Sequence, residues 1–316
     1  MKSLTPGNKL IARHSKHIYW ISFGLVLVAL LSGWYINNHV ISIYRVSDDS
    51  LGAEYKIGDL LLICKTQSCR RPEYGELTLY SIPQKPKGFL SAKFTIGLPG
   101  DTLFVSNGKF KNKNKVYNVT GDPYFDEPQY LVVPNLGESL LISKLTNTRF
   151  EFMAKLIQDE NPHDTIKVRN QFFFGESQIS DQELASIQIG ERNLRLGEIH
   201  SLSWQQLDLI NLNLERKYFG KPIRLARSLF LVDSLLTSYT VQAPYYFLLA
   251  KKSLGSLDSR EFGFVASHRI KGRAMLNLQQ WSFYFPQNTE EPPSENLPDK
   301  TNPPQRLHST DKKAVP

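Results

Sequence analysis

The stretch Ser91-Ala-Lys93-Phe-Thr-Ile-Gly-Leu-Pro-Gly-Asp101 puts a lysine inside a run of apolar and small residues that ends in a Pro-Gly-Asp turn. Its alternation reads as a β-strand. One face carries Leu90, Ala92, Phe94, Ile96 and Leu98, and the other carries Ser91, Lys93, Thr95 and Gly97. Two readings of Lys93 follow. Lysine can run its stem along the strand and keep its ammonium in water. Alternatively it is buried, which lowers its pKa toward neutrality and makes it a usable general base.

Strand character extends outward on both sides. Ile41–Val46 is apolar and β-branched, Leu60–Ile63 follows Gly58-Asp59, and Glu76–Ile82 alternates at first. Thr102–Val105 leads into Ser106-Asn107-Gly108-Lys109, a hairpin signal because Asn-Gly tolerates positive φ at both turn positions. Residues 106–240 are less regular. They hold a Ser180-Asp-Gln-Glu183 capping box and a predicted helix over 203–217 with apolar spacing through Trp204, Leu207, Ile210 and Leu214. Leu207, Leu209, Leu212 and Leu214 also permit a strand there. Strand patterns return over 239–250, 262–266 and 270–278. The order of strands, insertion and strands predicts one β-rich domain closed by distant pieces, in which Lys93 and the 245–275 region meet.

The ends of the chain are of another kind. Ile18–Ile36 is an uncharged, apolar stretch of 19 residues, bracketed by Tyr19-Trp20 and Trp34-Tyr35. That length suits a membrane-crossing helix. Lys2, Lys9, Arg13 and Lys16 precede it without an acid, so the positive-inside rule puts the N-terminus in the cytoplasm and the remainder outside. A cleaved signal peptide would have a shorter apolar region and an Ala-x-Ala site. From about residue 287 the chain is rich in Pro, Asn, Glu and Lys, the composition of a disordered tail. The expected organisation is therefore 1–17 basic cytoplasmic segment, 18–36 transmembrane anchor, 38–105 first part of a β domain, 106–240 inserted α+β subdomain, 241–286 second part of the β domain and 287–316 tail.

The formal net charge is +8, half of it in the N-terminal segment. The remainder suits apposition to anionic membrane lipid and forms no basic cluster of the nucleic-acid-binding kind. Cys64 and Cys69, five apart, suit a small disulfide loop in an oxidising compartment, or else two free thiols. No four-ligand metal pattern accompanies them, and no cofactor is expected.

Four segments together resemble the bacterial type I signal peptidases, membrane-anchored serine/lysine proteases that remove signal peptides from exported proteins. Residues 44–59 (YRVSDDSLGAEYKIGD) are similar to that family's nucleophile box, Pro-Ser-x-Ser-Met-x-Pro-Thr-Leu-x-x-Gly-Asp. Residues 74–80 (YGELTLY) are similar to its next strand, and residues 93–101 (KFTIGLPGD) to its Lys-Arg-x-x-Gly-Leu-Pro-Gly-Asp. The fourth segment, Tyr246–Ala274, contains Ser256-Leu-Asp-Ser-Arg-Glu-Phe-Gly-Phe-Val265 and Gly272-Arg-Ala274. The long gap before it resembles family members with a large inserted domain.

The resemblance implies a mainly β catalytic domain on a single anchor in the bacterial inner membrane, facing the periplasm. It implies Ser50 as nucleophile, Lys93 as general base, Ser256 as the hydroxyl that orients the lysine, and Asp258 and Arg260 as a structural charge pair. A Ser-Lys dyad is a known form of serine acyl chemistry, and the lysine must be uncharged, with Phe94, Ile96 and Leu98 as candidates for its apolar surround. The substrate would be an exported preprotein or a pilin precursor, bound as an extended strand with small residues before the cut.

The chain also departs from that pattern. Asp48 stands where the family often has an oxyanion-holding serine, Leu51 replaces its methionine, Ala53-Glu54 its Pro-Thr, Phe94 its arginine and Ala250-Lys251-Lys252 its Gly-Asp-Asn. A related branch matures pilin subunits in conjugation. Matching Tyr44-Arg45 to its pattern puts Asn38, with Ser42 nearby, at the nucleophile position instead. A catalytically impaired relative that binds exported peptides or scaffolds a secretion or conjugation complex, and an unrelated single-pass envelope protein, are the alternatives to an active protease.

Overall fold

The computed structural model describes residues 6–83, 85, 88–112, 115–119, 128–189, 192–195, 197–252, 256–279 and 282–283. The 287–316 tail lies outside the described residues. Helix α1 spans Pro6–His39, so the basic segment from residue 6 is continuous with the apolar one. Its Tyr19–His39 stretch is long and apolar enough to cross a membrane, and none of it is buried. Tyr19, Trp20, Trp34 and Tyr35 all stand exposed at its two ends.

The β-branched runs of the first hundred residues become β1 (Ile41–Arg45), β2 (Leu60–Cys64), β3 (Leu77–Ser81) and β4 (Leu90–Gly97). At the end of β4, Asp101 N donates to Leu98 O with Pro99 and Gly100 at the corners, and Gly100 takes the positive φ of +85° that the turn needs. A second, four-stranded sheet follows from β5 (Thr102–Ser106), β6 (Lys109–Lys111), β7 (Val116–Asn118) and β8 (Gln129–Val132), in the order β7-β6-β5-β8. Asn107 and Gly108 both have positive φ at the β5–β6 turn, as the Asn-Gly signal predicts.

The middle of the chain continues with β9 (Ser139–Leu141), α2 (Asn147–Glu160), β10 (Ile166–Phe174), β11 (Ser177–Gln178), α3 (Asp181–Ala185), β12 (Gln188–Ile189) and β13 (Arg192–Asn193). It ends in α4 (Trp204–Lys217), β14 (Ile223–Leu231), β15 (Ser234–Leu236) and β16 (Ser238–Thr240). The 203–217 segment is a helix, because the reciprocal capping box of Ser203 and Gln206 starts it and its Leu207, Ile210 and Leu214 stripe is buried. At Ser180 the side chain accepts from Glu183 N and caps α3. Residues between 172 and 223 form a core of their own around Phe172, Leu207 and Ile210. Side chains from 103 to 157 instead share a core with Phe247, Phe264 and Ala266.

The last pieces are β17 (Tyr245–Leu249), α5 (Ser259–Phe262), β18 (Val265–Ala266), β19 (Ile270–Asn277) and β20 (Ser282–Phe283). Two sequence expectations change here. The single strand over 239–250 is two strands, because Pro244, which lacks an N–H, interrupts the ladder. The strand over 262–266 shrinks to Val265–Ala266, because Phe262 belongs to α5, which Asp258 caps and Gly263, at φ +83°, terminates.

These pieces close a curled antiparallel sheet ordered β1-β2-β19-β3-β4-β17-β18, with β20 beside β19. Strand β19 enters between β2 and β3, roughly two hundred residues from either in sequence, so the protein is β-rich and the sheet is completed only by its C-terminal segment. At the β19 irregularity between Ile270 and Gly272, a Cβ on Gly272 would lie 1.9 Å from Cys64 O. Neither backbone can yield without breaking the β2–β19 ladder. Gly272→Ala is therefore expected to cost at least about 2 kcal/mol, read as a lower urea midpoint with the m-value unchanged.

Candidate active site

Ser50 lies on the loop between β1 and β2. The loop is closed at its base by Val46 N donating to Asp59 O and Gly58 N donating to Val46 O. Asp59 is itself held by Asn277 Nδ2 at 2.8 Å. Leu51, 1% exposed, anchors the tip in an apolar cluster with Val46, Tyr55, Leu77 and Phe94. From the far end of the chain, Lys251 N and Lys252 N both donate to Ser50 O, at 2.9 and 3.1 Å. Ion pairs Lys251–Glu54 (2.7 Å) and Lys252–Asp49 (3.1 Å) flank that contact. Being exposed, each adds little stability, but together they favour one docking of the loop.

Lys93 stands on β4, opposite Thr78 of β3. It is 1% exposed, so the snorkelling reading does not hold. Both faces of β4 are covered beyond Leu90. The apolar surround expected of Phe94 and Ile96 is not theirs, since strand alternation turns them to the opposite face, into separate core clusters. Lys93 Nζ lies 2.5 Å from Ser50 Oγ, and Ser50 is 2% exposed. Burial is the largest influence on Lys93 and lowers its pKa below that of an ordinary lysine. Asp48 and Asp258 pull it back up, and Arg260 adds to the lowering.

Asp48 completes the constellation. Its Oδ1 accepts from Ser50 N at 3.0 Å and from the Ser50 hydroxyl in a short contact. Its two oxygens lie 3.5 and 3.4 Å from Lys93 Nζ. Partial burial would raise this carboxyl, but Lys93 and the two Ser50 donors outweigh it and hold its pKa below the usual carboxylate range. Unlike Ser50 and Lys93, Asp48 keeps 43% of its side chain in solvent.

The 256–260 segment backs the site. Asp258 and Arg260 form a buried pair, with Arg260 Nη2 2.6 Å and Nε 2.9 Å from the two carboxylate oxygens. Asp258 also accepts from Ala250 N at 2.9 Å, which ends β17 beside the Ser50 loop. Ser256 Oγ donates to Lys252 O at 2.6 Å and accepts from Arg260 Nη2 at 3.3 Å. It is thus tied to the segment that holds Ser50, and among the described residues it makes no hydrogen bond to Lys93.

The other candidates lie apart from the lysine. Ser42 sits in β1 opposite Ile63, and Asn38 is in the last turn of α1. Among the described residues Lys93 hydrogen-bonds Asp48 and Ser50. Cys64 and Cys69 are joined as a disulfide, with Cα atoms 5.8 Å apart. No group of three or more His, Cys, Asp or Glu among the described residues is placed to hold a metal ion. Sequence reading treated Lys251 and Lys252 as departures and missed that their N–H groups hold Ser50. The opposed charges of 48–54 and 251–252 were the available signal.

No family model matches the sequence, and no curated protein matches it.

Proposed function

We propose that this chain is a membrane-anchored serine endopeptidase of signal peptidase I type, acting by a Ser50–Lys93 dyad. The observation that carries this reading is the buried 2.5 Å approach of Lys93 Nζ to Ser50 Oγ, within the reach a general base needs. Uncharged Lys93 takes the proton of Ser50 as Oγ attacks the scissile carbonyl carbon. The lysine then returns that proton to the leaving amine, the peptide C–N bond breaks, and an ester on Ser50 remains. Water, deprotonated by Lys93, attacks the ester and releases the new carboxyl terminus and the Ser50 hydroxyl.

The substrate is an exported preprotein or pilin precursor, cut after small residues as the resemblance implies. The pairing of β4 supports binding of its extended chain. Over residues 90–93 the described strand partner of β4 is β3 alone, and β17 joins β4 only at Phe94, Thr95 and Gly97. An added strand on that edge would run past Lys93. The apolar helix supports a membrane anchor, and the basic residues before it, with the resemblance, favour a cytoplasmic N-terminus and a periplasmic β domain.

A second reading is a catalytically impaired relative that binds exported peptides or scaffolds a complex. The Asp48 carboxylate on the Ser50 N–H favours it, because a fixed negative charge there opposes an oxyanion.

Incubation of the purified full chain in lipid with signal-peptide-bearing precursors, followed by N-terminal sequencing of products, separates the two. A new N-terminus after a small residue, absent with Ser50→Ala, supports the protease. Binding without cleavage supports the second reading. The pH profile is a further check. A base works when deprotonated, so kcat/KM should rise with pH through the Lys93 pKa, at lower pH than an ordinary lysine would give. A profile flat from acid to alkaline pH removes Lys93 as the base.

A further inference from the structure

We propose that Asp48 is a carboxylate latch that holds the Ser50–Lys93 pair in a resting state until a bound peptide displaces it. The proposal rests on the dyad reading above.

The direction of the hydrogen bonds carries it. The Ser50 hydroxyl has one proton, and it is donated to Asp48 Oδ1. Ser50 Oγ therefore accepts from Lys93, and the Asp48 carboxylate 3.4 Å from Nζ favours the ammonium form of that lysine. The chain of donation runs Lys93 to Ser50 to Asp48. Attack by Ser50 needs the opposite direction, with the hydroxyl proton going to an uncharged Lys93 Nζ. Asp48 cannot stand in as the base, since a carboxylate of lowered pKa accepts a hydroxyl proton far less readily than an amine.

The same oxygen also fills a second position. It accepts from Ser50 N at 3.0 Å, and a nucleophile's own backbone N–H is a donor that an oxyanion forming beside it can use. One carboxylate thus holds the base protonated, turns the nucleophile's proton away and occupies a candidate oxyanion donor. Its partial exposure gives it room to leave. When it swings outward, water can solvate it, Lys93 can release a proton to solvent, and the Ser50 hydroxyl can turn to the amine.

Other charges around the pair come from every neighbouring element. Asp49, on the same loop, is paired with Lys252. Tyr44 of β1 has its hydroxyl on Ser47, and Tyr80 of β3 is buried and held neutral, its pKa pushed well up by burial. Asp258 and Arg260, behind Lys93, neutralise one another. Asp48 is therefore the carboxylate whose removal alters Lys93 most directly.

The test uses Asp48→Asn, which keeps the shape and removes the charge, and Asp48→Ala, which removes both. Lys93 is titrated by NMR of labelled lysine side chains in the full chain in detergent, with Lys93→Met to assign the signal. The midpoint should fall by about one to three pH units in both variants, as expected when an opposite charge within 4–6 Å is lost. Acylation of Ser50 by a p-nitrophenyl ester at neutral pH, followed by mass spectrometry, should quicken about tenfold or more, matching one such unit. Asp48→Ala should be the faster of the two, because it also frees the Ser50 N–H.

An unchanged midpoint, or slower acylation in either variant, overturns the latch. A lowered midpoint with no acylation of wild type or variant sinks the dyad and the latch together, whereas faster acylation in the variants without precursor cleavage by any of the proteins retains the latch and sinks the peptidase reading.

Discussion

Ser50→Ala and Lys93→Met should each reduce precursor cleavage by on the order of 10⁴- to 10⁶-fold, and the double variant should be no worse than either alone. Residues that act as one unit lose the same step when either is removed, so their effects do not add. Lys93→Met is the better variant for the base. Lys93 is buried, and methionine fills much of the same volume without the amine. Removing the ammonium also relieves Asp48, which is partly exposed and can be solvated, so no buried charge is left unpaired. Circular dichroism and the urea midpoint should therefore change little while cleavage is lost. Retained cleavage by both single variants would remove this pair from the mechanism. Ser42→Ala, by contrast, should cleave as wild type does, because Ser42 lies in β1 with no hydrogen bond to Lys93.

The largest expected effect on stability is at Arg260. Asp258 and Arg260 are 0% and 1% exposed, so removing one partner leaves a full charge in the interior. Arg260→Ala should cost about 3–5 kcal/mol. In a protein of this size that lowers the thermal midpoint by on the order of 10 °C. The arginine also donates to Ser256, so the segment behind Lys93 should loosen along with it. Asp258→Ala should cost as much, because the carboxylate also receives Ala250 N and caps α5 through Arg260 N. A double replacement by apolar residues of similar volume should recover much of the loss, since no unpaired charge then remains. Thermal unfolding of the four proteins side by side measures this. A midpoint unchanged in Arg260→Ala would mean the pair is not buried in solution.

The positions of β1 to β5, and of the turn that leads into β6, were readable because each rests on a local pattern: β-branched alternation, a Pro-Gly-Asp turn, an Asn-Gly turn. The helix over 204–217 needed its Ser203 and Gln206 cap to decide between two apolar periods that the leucines alone left open. The 239–250 segment differs in its middle, where Pro244 breaks the ladder, and the 262–266 segment at its start, where the Asp258 cap and Gly263 outweigh apolar propensity.

At the site, the motifs singled out Lys93, Ser50, Asp258 and Arg260, and order along the chain predicted that distant pieces would meet. Periodicity could assign Lys93 to a face of its strand but not say whether protein or water covered that face. That depends on β3, on the Ser50 loop and on the 256–260 segment, which are brought together by β19 entering between β2 and β3. The direction of the Ser50 hydroxyl was likewise beyond a linear reading. Asp48 and Ser50 are two residues apart in any conformation, but whether a carboxylate two positions away points at the hydroxyl, at the lysine or into water is set by the fold of the loop. By itself the sequence determined an apolar helix long enough for a membrane, a β-rich domain and the residues worth watching. Only the tertiary structure decided that Lys93 is buried, that Ser50 is the serine it meets, and that Asp48 lies on both. Local patterns fix backbone shape and side-chain direction, whereas burial and charge pairing are properties of segments some two hundred residues apart.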